Sequence, residues 1–347
     1  MEENSLTPAP EQEQTGCANC AAPDVLDGYP TRLCASCRDT FVKFPIPKWL
    51  WLFAGAIGVI VLFSLFTLPK NISTGIALEK GKKAERAHRY VTAQREFAKV
   101  VNAVPGYTEG HAHMMIASFY NDDYSSFLQT YKALQNVQIE DKELFARLQD
   151  ISDKAINNFP GDSMRQLTAP YDSAGTTLPE SILLRYIQRH GEDLYAKEQY
   201  AFLLMGRNDY RGVDSIAATM LAVDETFDVA LFLRSVGQRE MGHYDTSLYY
   251  CDQLLNINRE SSKALASKAR TLLKMKDDKE ALKIALRACS LNENDSYAIA
   301  TLAVAFHFNH EEKKRDELVN RYKNDSSKAP NMEFALNIFS GKEHFRD

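Results

Sequence analysis

Four cysteines near the N-terminal end are the residues whose type and spacing most directly indicate chemistry. Cys17, Cys20, Cys34 and Cys37 form two Cys-x-x-Cys pairs that are separated by 13 residues. Each pair places two sulfurs on one tight turn, and two such turns can close a tetrahedron of thiolates around a metal ion. Because protein fills all four positions, the pattern predicts a structural Zn²⁺ site, and the same ligands would also suit iron.

The segment around these cysteines, residues 16–44, has few large apolar side chains. So short a segment cannot build its own core, and a bound metal would supply the missing folding energy. Covalent haem attachment is excluded because no His follows either pair, whereas two local disulfides remain an alternative. The spacing resembles that of the zinc-ribbon and zinc-knuckle families, although Ala21 and Arg38 stand where many ribbons have Gly. Residues 1–15, rich in Glu, Gln and Pro, are predicted to be disordered.

An uncharged apolar stretch follows at residues 49–68. About 20 apolar residues in a helix cross a hydrocarbon core of ~30 Å, so the stretch predicts one transmembrane helix. Lys43 and Lys48 precede it closely and only Lys70 follows closely. The positive-inside rule then predicts a single-pass membrane protein with its N-terminus in the cytoplasm and residues 69–347 outside. A reduced four-cysteine site agrees with that orientation.

The remainder of the chain carries an internal repeat. Tyr90 and Tyr124 are 34 residues apart, and so are Tyr210 and Tyr244. This period is typical of helix pairs that stack side by side. At that period, units are predicted to begin at Thr74, Thr108, Leu194, Asp228, Ser262 and Ser296.

The first unit shows the family pattern best, and it resembles the tetratricopeptide repeat (TPR) at Gly81, Ala84, Tyr90, Ala93, Phe97 and Pro105. The resemblance implies an all-α fold, a TPR-like α-solenoid, preceded here by the zinc-ribbon-like module and the transmembrane helix. Two units would occupy residues 74–141, further units 194–309, and C-terminal capping helices 310–347. The out-of-phase middle, 142–193, predicts an irregular helix pair with a long loop at 161–177. Two short arrays joined by a linker are the alternative.

The TPR resemblance also implies that the first helices of successive units line a groove that binds protein or peptide partners. Aromatic and Arg side chains are the favoured anchors in such grooves. The alternative is that most of these side chains pack against neighbouring helices. The clamp for a C-terminal carboxylate found in chaperone-binding TPR domains is absent. The candidate partner-binding residues are His113, Phe119, Tyr120, Tyr195, Gln199, Phe202, Phe232, Arg239, Arg270 and Lys274.

No catalytic pattern is evident: the sequence has no Gly-rich phosphate loop, no G-x-S-x-G and no H-E-x-x-H. We therefore expect no enzymatic activity. The net charge of −5 argues against nucleic acid as a partner. The predicted function is a membrane-anchored scaffold or adaptor that binds partner proteins, with the zinc module on the opposite side of the membrane. The alternative is an accessory or regulatory subunit of a membrane-bound enzyme in envelope biogenesis or quality control.

Overall fold

The computed structural model describes residues 15–42, 47–322, 325 and 329–346, without the side chains of 42, 64–70, 329 and 330. The predicted disordered tail, residues 1–15, therefore lies outside the described residues apart from its last one. The described residues form α-helices and no β-strand, which confirms the all-α prediction. The helices are α1 (Ala35–Val42), α2 (Lys48–Arg86), α3 (Tyr90–Ala103), α4 (Thr108–Tyr120), α5 (Tyr124–Leu134), α6 (Lys142–Ile156), α7 (Asp162–Ser173), α8 (Glu180–Arg189), α9 (Leu194–Gly206), α10 (Tyr210–Leu221), α11 (Asp228–Glu240), α12 (Tyr244–Ile257), α13 (Ser262–Lys274), α14 (Asp278–Leu291), α15 (Ser296–Phe308), α16 (Glu312–Tyr322) and α17 (Ala329–Phe339).

The chain divides into two compact units, residues 1–69 and residues 70–347. The predicted membrane span at 49–68 is wrong, because no helix within the described ranges is long and apolar enough to cross a bilayer. The predicted single-pass localisation and orientation depended on that span and are overturned with it.

Residues 70–347 are built from TPR-like helix pairs in the predicted register. The helices α4, α9, α11, α13 and α15 begin at five of the predicted unit starts, and no helix begins at Thr74 because α2 continues through it. The same turn conformation recurs in all six units. The residue at the fifteenth place of each has a positive φ, which ends the first helix in the left-handed conformation. These residues are His88, Asp122, Asn208, Gly242, Lys276 and His310.

The middle of the chain differs from the predicted long loop at 161–177, because α7 occupies most of it. Met164 of α7 is buried, and with Leu167 it joins a small core that includes Leu183 of α8 and Ala196 of α9. Pro170 lies inside α7 and removes one backbone hydrogen bond near the end of that helix. Apolar packing outweighs the loop-like composition here, so three helices replace the predicted irregular pair.

The core depends on small side chains where the two helices of a pair cross. Gly81 of α2 faces the ring of Phe97 on α3, and a Cβ at Gly81 would lie 2.9 Å or less from three ring atoms. The equivalent places in later repeats hold Ala201, Ser235, Ala269 and Ala303, all fully buried, and the second repeat holds the buried Met115. Small residues at this place let the paired helices approach closely and bury their larger apolar neighbours.

The turn between α12 and α13, residues 258–261, packs against the first two repeats, which begin at Thr74 and Thr108. The carboxylate of Glu260 accepts hydrogen bonds from the backbone N–H of Thr92, at 2.7 Å, and from its hydroxyl, at 2.8 Å. The amide of Asn258 donates to the carbonyl of Tyr120 at 3.0 Å, and the Arg259 N–H donates to the carbonyl of His88 at 2.8 Å. These bonds join residues 258–260 to residues 88–120, so the chain between them forms a closed circuit of helices.

The crossing of α2 and α3 predicts the effect of two glycine substitutions. Gly81→Ala should lower the free energy of unfolding by about 1–2 kcal/mol, because the new methyl overlaps the Phe97 ring and outweighs the gain in helix propensity. Gly75→Ala lies in the same helix with nothing near the new Cβ, so it should leave stability unchanged or raise it. Urea unfolding followed by circular dichroism measures both, and equal effects of the two substitutions would contradict the close crossing.

Candidate functional site

The four predicted metal ligands lie together. The sulfurs of Cys17, Cys20, Cys34 and Cys37 are all within 4.8 Å of one another, and those of Cys20 and Cys34 are 3.6 Å apart. Tetrahedral zinc with Zn–S bonds of about 2.3 Å would need sulfurs ~3.8 Å apart. The donor set therefore fits one tetrahedral ion with four thiolates.

Local backbone structure positions both pairs. The N–H of Cys17 donates to the carbonyl of Ala22 and the N–H of Ala21 donates to the carbonyl of Cys17, both at 2.8 Å. This turn puts Ala21 at a φ of 60°, so the residue does in left-handed conformation what Gly does in many ribbons. The second pair lies at the start of α1, where the N–H of Cys37 points at the sulfur of Cys34 at 3.4 Å.

The electrostatics of the cluster favour a bound cation. Backbone N–H groups of Cys34, Asn19 and Cys20 lower the pKa of the Cys17 thiol to about 6. The Ala22 backbone amide also favours a thiolate at Cys20, but the three neighbouring sulfurs outweigh it and raise the pKa of Cys20 to about 12. Neighbouring thiolates repel each other, and a cation between them removes that repulsion. All six cysteines of the chain are free, so the two-disulfide alternative does not describe this structure.

A groove of about 970 Å³ lies within residues 70–347. The helices α9, α11, α13 and α15 contribute lining residues, and the segment from α17 onward contributes Phe334 and Phe345. Half of the predicted partner-binding residues line it: Phe202, Phe232, Arg239, Arg270 and Lys274.

The other predicted residues do not line this groove. His113 is buried, its Nδ1 lies 2.8 Å from the Glu85 carboxylate, and its ring stacks on Phe97, so it belongs to the core. Tyr195 packs beside the α7–α8 core, and Gln199 is half-buried outside the groove. For these three, the alternative of packing within the helical array is the better description.

Phe119 and Tyr120 line a second, smaller cavity of about 300 Å³ between the first units and α11–α12. Tyr120 stacks on Tyr90 there, with ring centroids 4.5 Å apart. Burial is the main reason why the pKa of Tyr120 is raised. The circuit closed by the α12–α13 turn forms this cavity, because its walls come from parts of the chain more than 100 residues apart.

Buried charges organise the floor of the larger groove. The Arg239 guanidinium donates to Glu240 at 2.7 Å and reaches Ser267 and Tyr297 of the next two units at 3.2 and 3.3 Å. Lys274 pairs with the same Glu240 carboxylate at 3.1 Å. Burial raises the pKa of Glu240, but the Arg239 and Lys274 charges outweigh it, and the pKa is lowered overall.

An acidic cluster lies at the edge of the groove. The Lys263 ammonium is 2.9 Å from the Asp122 carboxylate and 3.2 Å from that of Asp228. Burial, together with the Asp228 charge, raises the pKa of Asp122 to about 6 despite Lys263. The same causes raise the pKa of the nearby Glu198 to about 7. One lysine thus balances only part of the negative charge that the α4–α5 turn, α9 and α11 bring together.

Sequence reasoning missed Phe334, Phe345 and Glu240 as groove residues. The two phenylalanines come from the segment after the last repeat, so no repeat register could assign them to the groove. Glu240 ends α11 at the place that Tyr120 holds in the unit beginning at Thr108, so the repeat register does reach it. It was not selected because an acidic side chain is not among the favoured aromatic and Arg anchors.

No protein-family model matches the chain, and no curated protein matches it. Among solved structures, the chain is similar to YrrB, described as a TPR protein with an unusual peptide-binding site, at 19% identity and a TM-score of 0.30, over 47% of this chain and 86% of that one. A tetratricopeptide repeat protein from Parabacteroides merdae gives 12% identity and a TM-score of 0.39, over 76% and 99%. PilW, a type IV pilus biogenesis factor, gives 12% and 0.32, over 76% and 98%. These TM-scores are too low to carry an inference about this chain.

The acidic cluster predicts how stability depends on pH. A folded-state pKa raised to about 7 means that the folded protein binds this proton more tightly than the unfolded chain does. Stability should therefore fall as pH rises from about 5 to about 8, and Glu198→Gln should reduce that slope by removing the carboxylate. Urea midpoints across this range measure the slope. The exposed Glu192→Gln should leave it unchanged, and an unchanged slope in Glu198→Gln would contradict the assignment.

Proposed function

We propose that residues 70–347 form an interaction module that binds an extended peptide segment of a partner protein in the larger groove. The observation that carries the proposal is the convergence of aromatic and cationic side chains from successive first helices on one groove. Phe202 comes from α9, Phe232 and Arg239 from α11, and Arg270 and Lys274 from α13. Rigid aromatic and Arg side chains are the residue types that dominate protein recognition.

The exposure of Phe202 supports a binding role. Its side chain is 42% exposed although it lines a concave surface, whereas the neighbouring Ala201 and Leu204 are buried in the core. Burying a Phe side chain from water contributes about 1.5–3 kcal/mol, so an exposed ring in a groove is a ready anchor for an apolar partner residue. The groove crosses α9, α11, α13 and α15, so an extended peptide bound along it would contact several repeats. We propose a binding role without catalysis for this surface.

Peptide binding predicts the behaviour of groove variants. A positional-scanning library of nonapeptides, passed over the immobilised wild type, identifies the peptides that the groove retains. Phe202→Ala and Phe232→Ala should each weaken binding of these peptides about tenfold, because each removes an aromatic anchor. Fluorescence anisotropy on the best-retained sequences measures the affinities.

Tyr249→Ala is the matched control, because Tyr249 is an aromatic residue that is 56% exposed on α12 and lines neither cavity. It should bind as the wild type does. The proposal fails if the wild type retains no peptide, or if Tyr249→Ala weakens binding as much as the groove variants do.

We also propose that Cys17, Cys20, Cys34 and Cys37 hold one structural Zn²⁺ ion. The support is the compact arrangement of the four sulfurs and the small number of large apolar side chains in residues 16–44. A structural zinc supplies on the order of 10–16 kcal/mol of binding energy, which would fix this short segment. Iron would take the same ligands but would colour the protein, since ferric thiolate centres absorb visible light.

Metal analysis tests this site. The full chain should carry about one zinc per molecule, and Cys37→Ser should lose most of it, because three thiolates hold the ion more weakly. Cys289→Ser, which removes a thiol outside the cluster, should keep the metal. In thiol titration, a chelator should expose four further reactive cysteines in the wild type. Visible absorption would identify iron instead, and a protein without any stoichiometric metal would refute the proposal.

A further inference from the structure

Arg270 is a buried charge in the groove without a carboxylate partner. It is 7% exposed, and it forms no ion pair with any carboxylate that the structure describes. Its Nη2 atom is buried and has no hydrogen-bond partner. A buried guanidinium without a partner is costly, and buried charges in proteins are normally paired. Something other than this chain's own carboxylates is therefore needed to satisfy it.

The rest of the Arg270 side chain is held firmly. Its guanidinium carbon lies 3.8 Å from the centroid of the Tyr297 ring and 4.6 Å from that of Phe334. Its Nε donates to the hydroxyl of Thr301 at 2.8 Å, and that hydroxyl donates to the Tyr297 carbonyl at 2.6 Å. Burial and the charge of Arg239 lower the pKa of Arg270. A guanidinium fixed by two rings and one hydroxyl is preorganised for an anion.

The neighbouring charges leave an anion deficit at this point of the groove. Arg239 and Lys274 share the single Glu240 carboxylate. The nearby Asp295 is already engaged, since it accepts two N–H bonds at the start of α15 and the hydroxyl of Ser262. Asp122 pairs with Lys263 at the groove edge, and Glu343 is exposed on the C-terminal segment. The three cations Arg239, Lys274 and Arg270 therefore have one carboxylate, that of Glu240, between them, and its two oxygens already contact Arg239 and Lys274.

We propose that Arg270, with Arg239 and Lys274 beside it, binds a carboxylate of the peptide that occupies the groove. This inference rests on the proposed function and names the chemistry that the groove selects. The carboxylate belongs either to an acidic side chain within the peptide or to its C-terminus, and both would form the same charge-assisted hydrogen bonds with the guanidinium. Phe202 and Phe232 then hold apolar residues of the same peptide.

The test uses the positional-scanning nonapeptide library in two forms, one with free C-termini and one with amidated C-termini. The wild type should enrich Asp or Glu at one position in both forms if a side chain is bound. It should lose retention on amidation if the C-terminus is bound. Arg270→Gln should lower affinity for the selected acidic peptides at least about tenfold, because it removes a hydrogen bond to a charged group, and it should abolish the acidic preference.

Two further variants keep the result interpretable if Arg270→Gln unfolds. Thr301→Val keeps the charge but frees the guanidinium, and it should weaken binding of the acidic peptides several-fold. Arg234→Gln is the control, since Arg234 is also partly buried and stacked on a tyrosine, Tyr250, but lies outside the groove. It should bind as the wild type does, and thermal melts monitor folding of all three.

The outcomes separate this inference from the proposed function. If peptides bind in the groove with neither an acidic preference nor a loss of retention on amidation, the carboxylate site is refuted and the interaction module stands. The same holds if Arg270→Gln keeps whichever of these two responses the wild type shows. If the wild type retains no peptide in either form, both are refuted. Retention that follows acidity equally in wild type, Arg270→Gln and Arg234→Gln would show bulk charge attraction instead and would also refute the site.

Discussion

Close crossing of paired helices is the constraint on which the fold of residues 70–347 depends. The place held by Gly81, Ala201, Ser235, Ala269 and Ala303 is small in five of the six repeats, and at Gly81 the Phe97 ring of the second helix lies directly over it. The exception is Met115 in the second repeat. Once the helices approach so closely, their larger apolar residues lie between units and are covered only by the next pair. Close crossing within each pair and coverage by the next pair together align the first helices that form the groove.

The hydrogen bonds between the first two repeats and the α12–α13 turn are a second constraint, which an open array of repeats lacks. The first backbone N–H groups of a helix have no partner within that helix, and Glu260 satisfies one at the start of α3 from 168 residues away. Glu260 is 7% exposed and Asn258 is 3% exposed, so these bonds are protected from water. Asp122, Asn258 and Ser261 then border both cavities, which ties the width of the groove to the first units.

Periodic features could be predicted from the sequence, and contacts that ignore the period could not. The 34-residue spacing gave the starts of α4, α9, α11, α13 and α15, and the paired cysteines gave the thiol cluster. The helix α7 was missed because Gly, Pro, Ser and Thr suggest a loop, while burial of Met164 decides otherwise. The bonds of Glu260 to Thr92 have no signature in sequence, since neither residue stands at a repeat position that the pattern defines.

The same distinction between periodic and non-periodic features applies to the predicted partner-binding residues. The register selected Arg239, Arg270 and Lys274, which line the groove, and it also selected His113, which is buried in the core with its Nδ1 2.8 Å from the Glu85 carboxylate. An equivalent position in two units need not have an equivalent environment, because the neighbouring helices differ. The C-terminal aromatic rings show the reverse case, where residues outside every repeat complete the groove.

Recognition and stability are coupled in this groove through Arg239. Its guanidinium bonds Glu240 in its own unit, Ser267 in the next and Tyr297 in the one after, so it joins three units beneath the surface that a peptide would contact. Arg270 repeats the arrangement one unit further on, with Thr301 and Tyr297 in the sixth unit and Phe334 in α17. An anion that satisfied Arg270 would draw together the fifth unit, the sixth unit and the C-terminal helix. Such an anion binds the folded array and not the unfolded chain, so occupancy of the groove must stabilise the C-terminal half of the array by linkage.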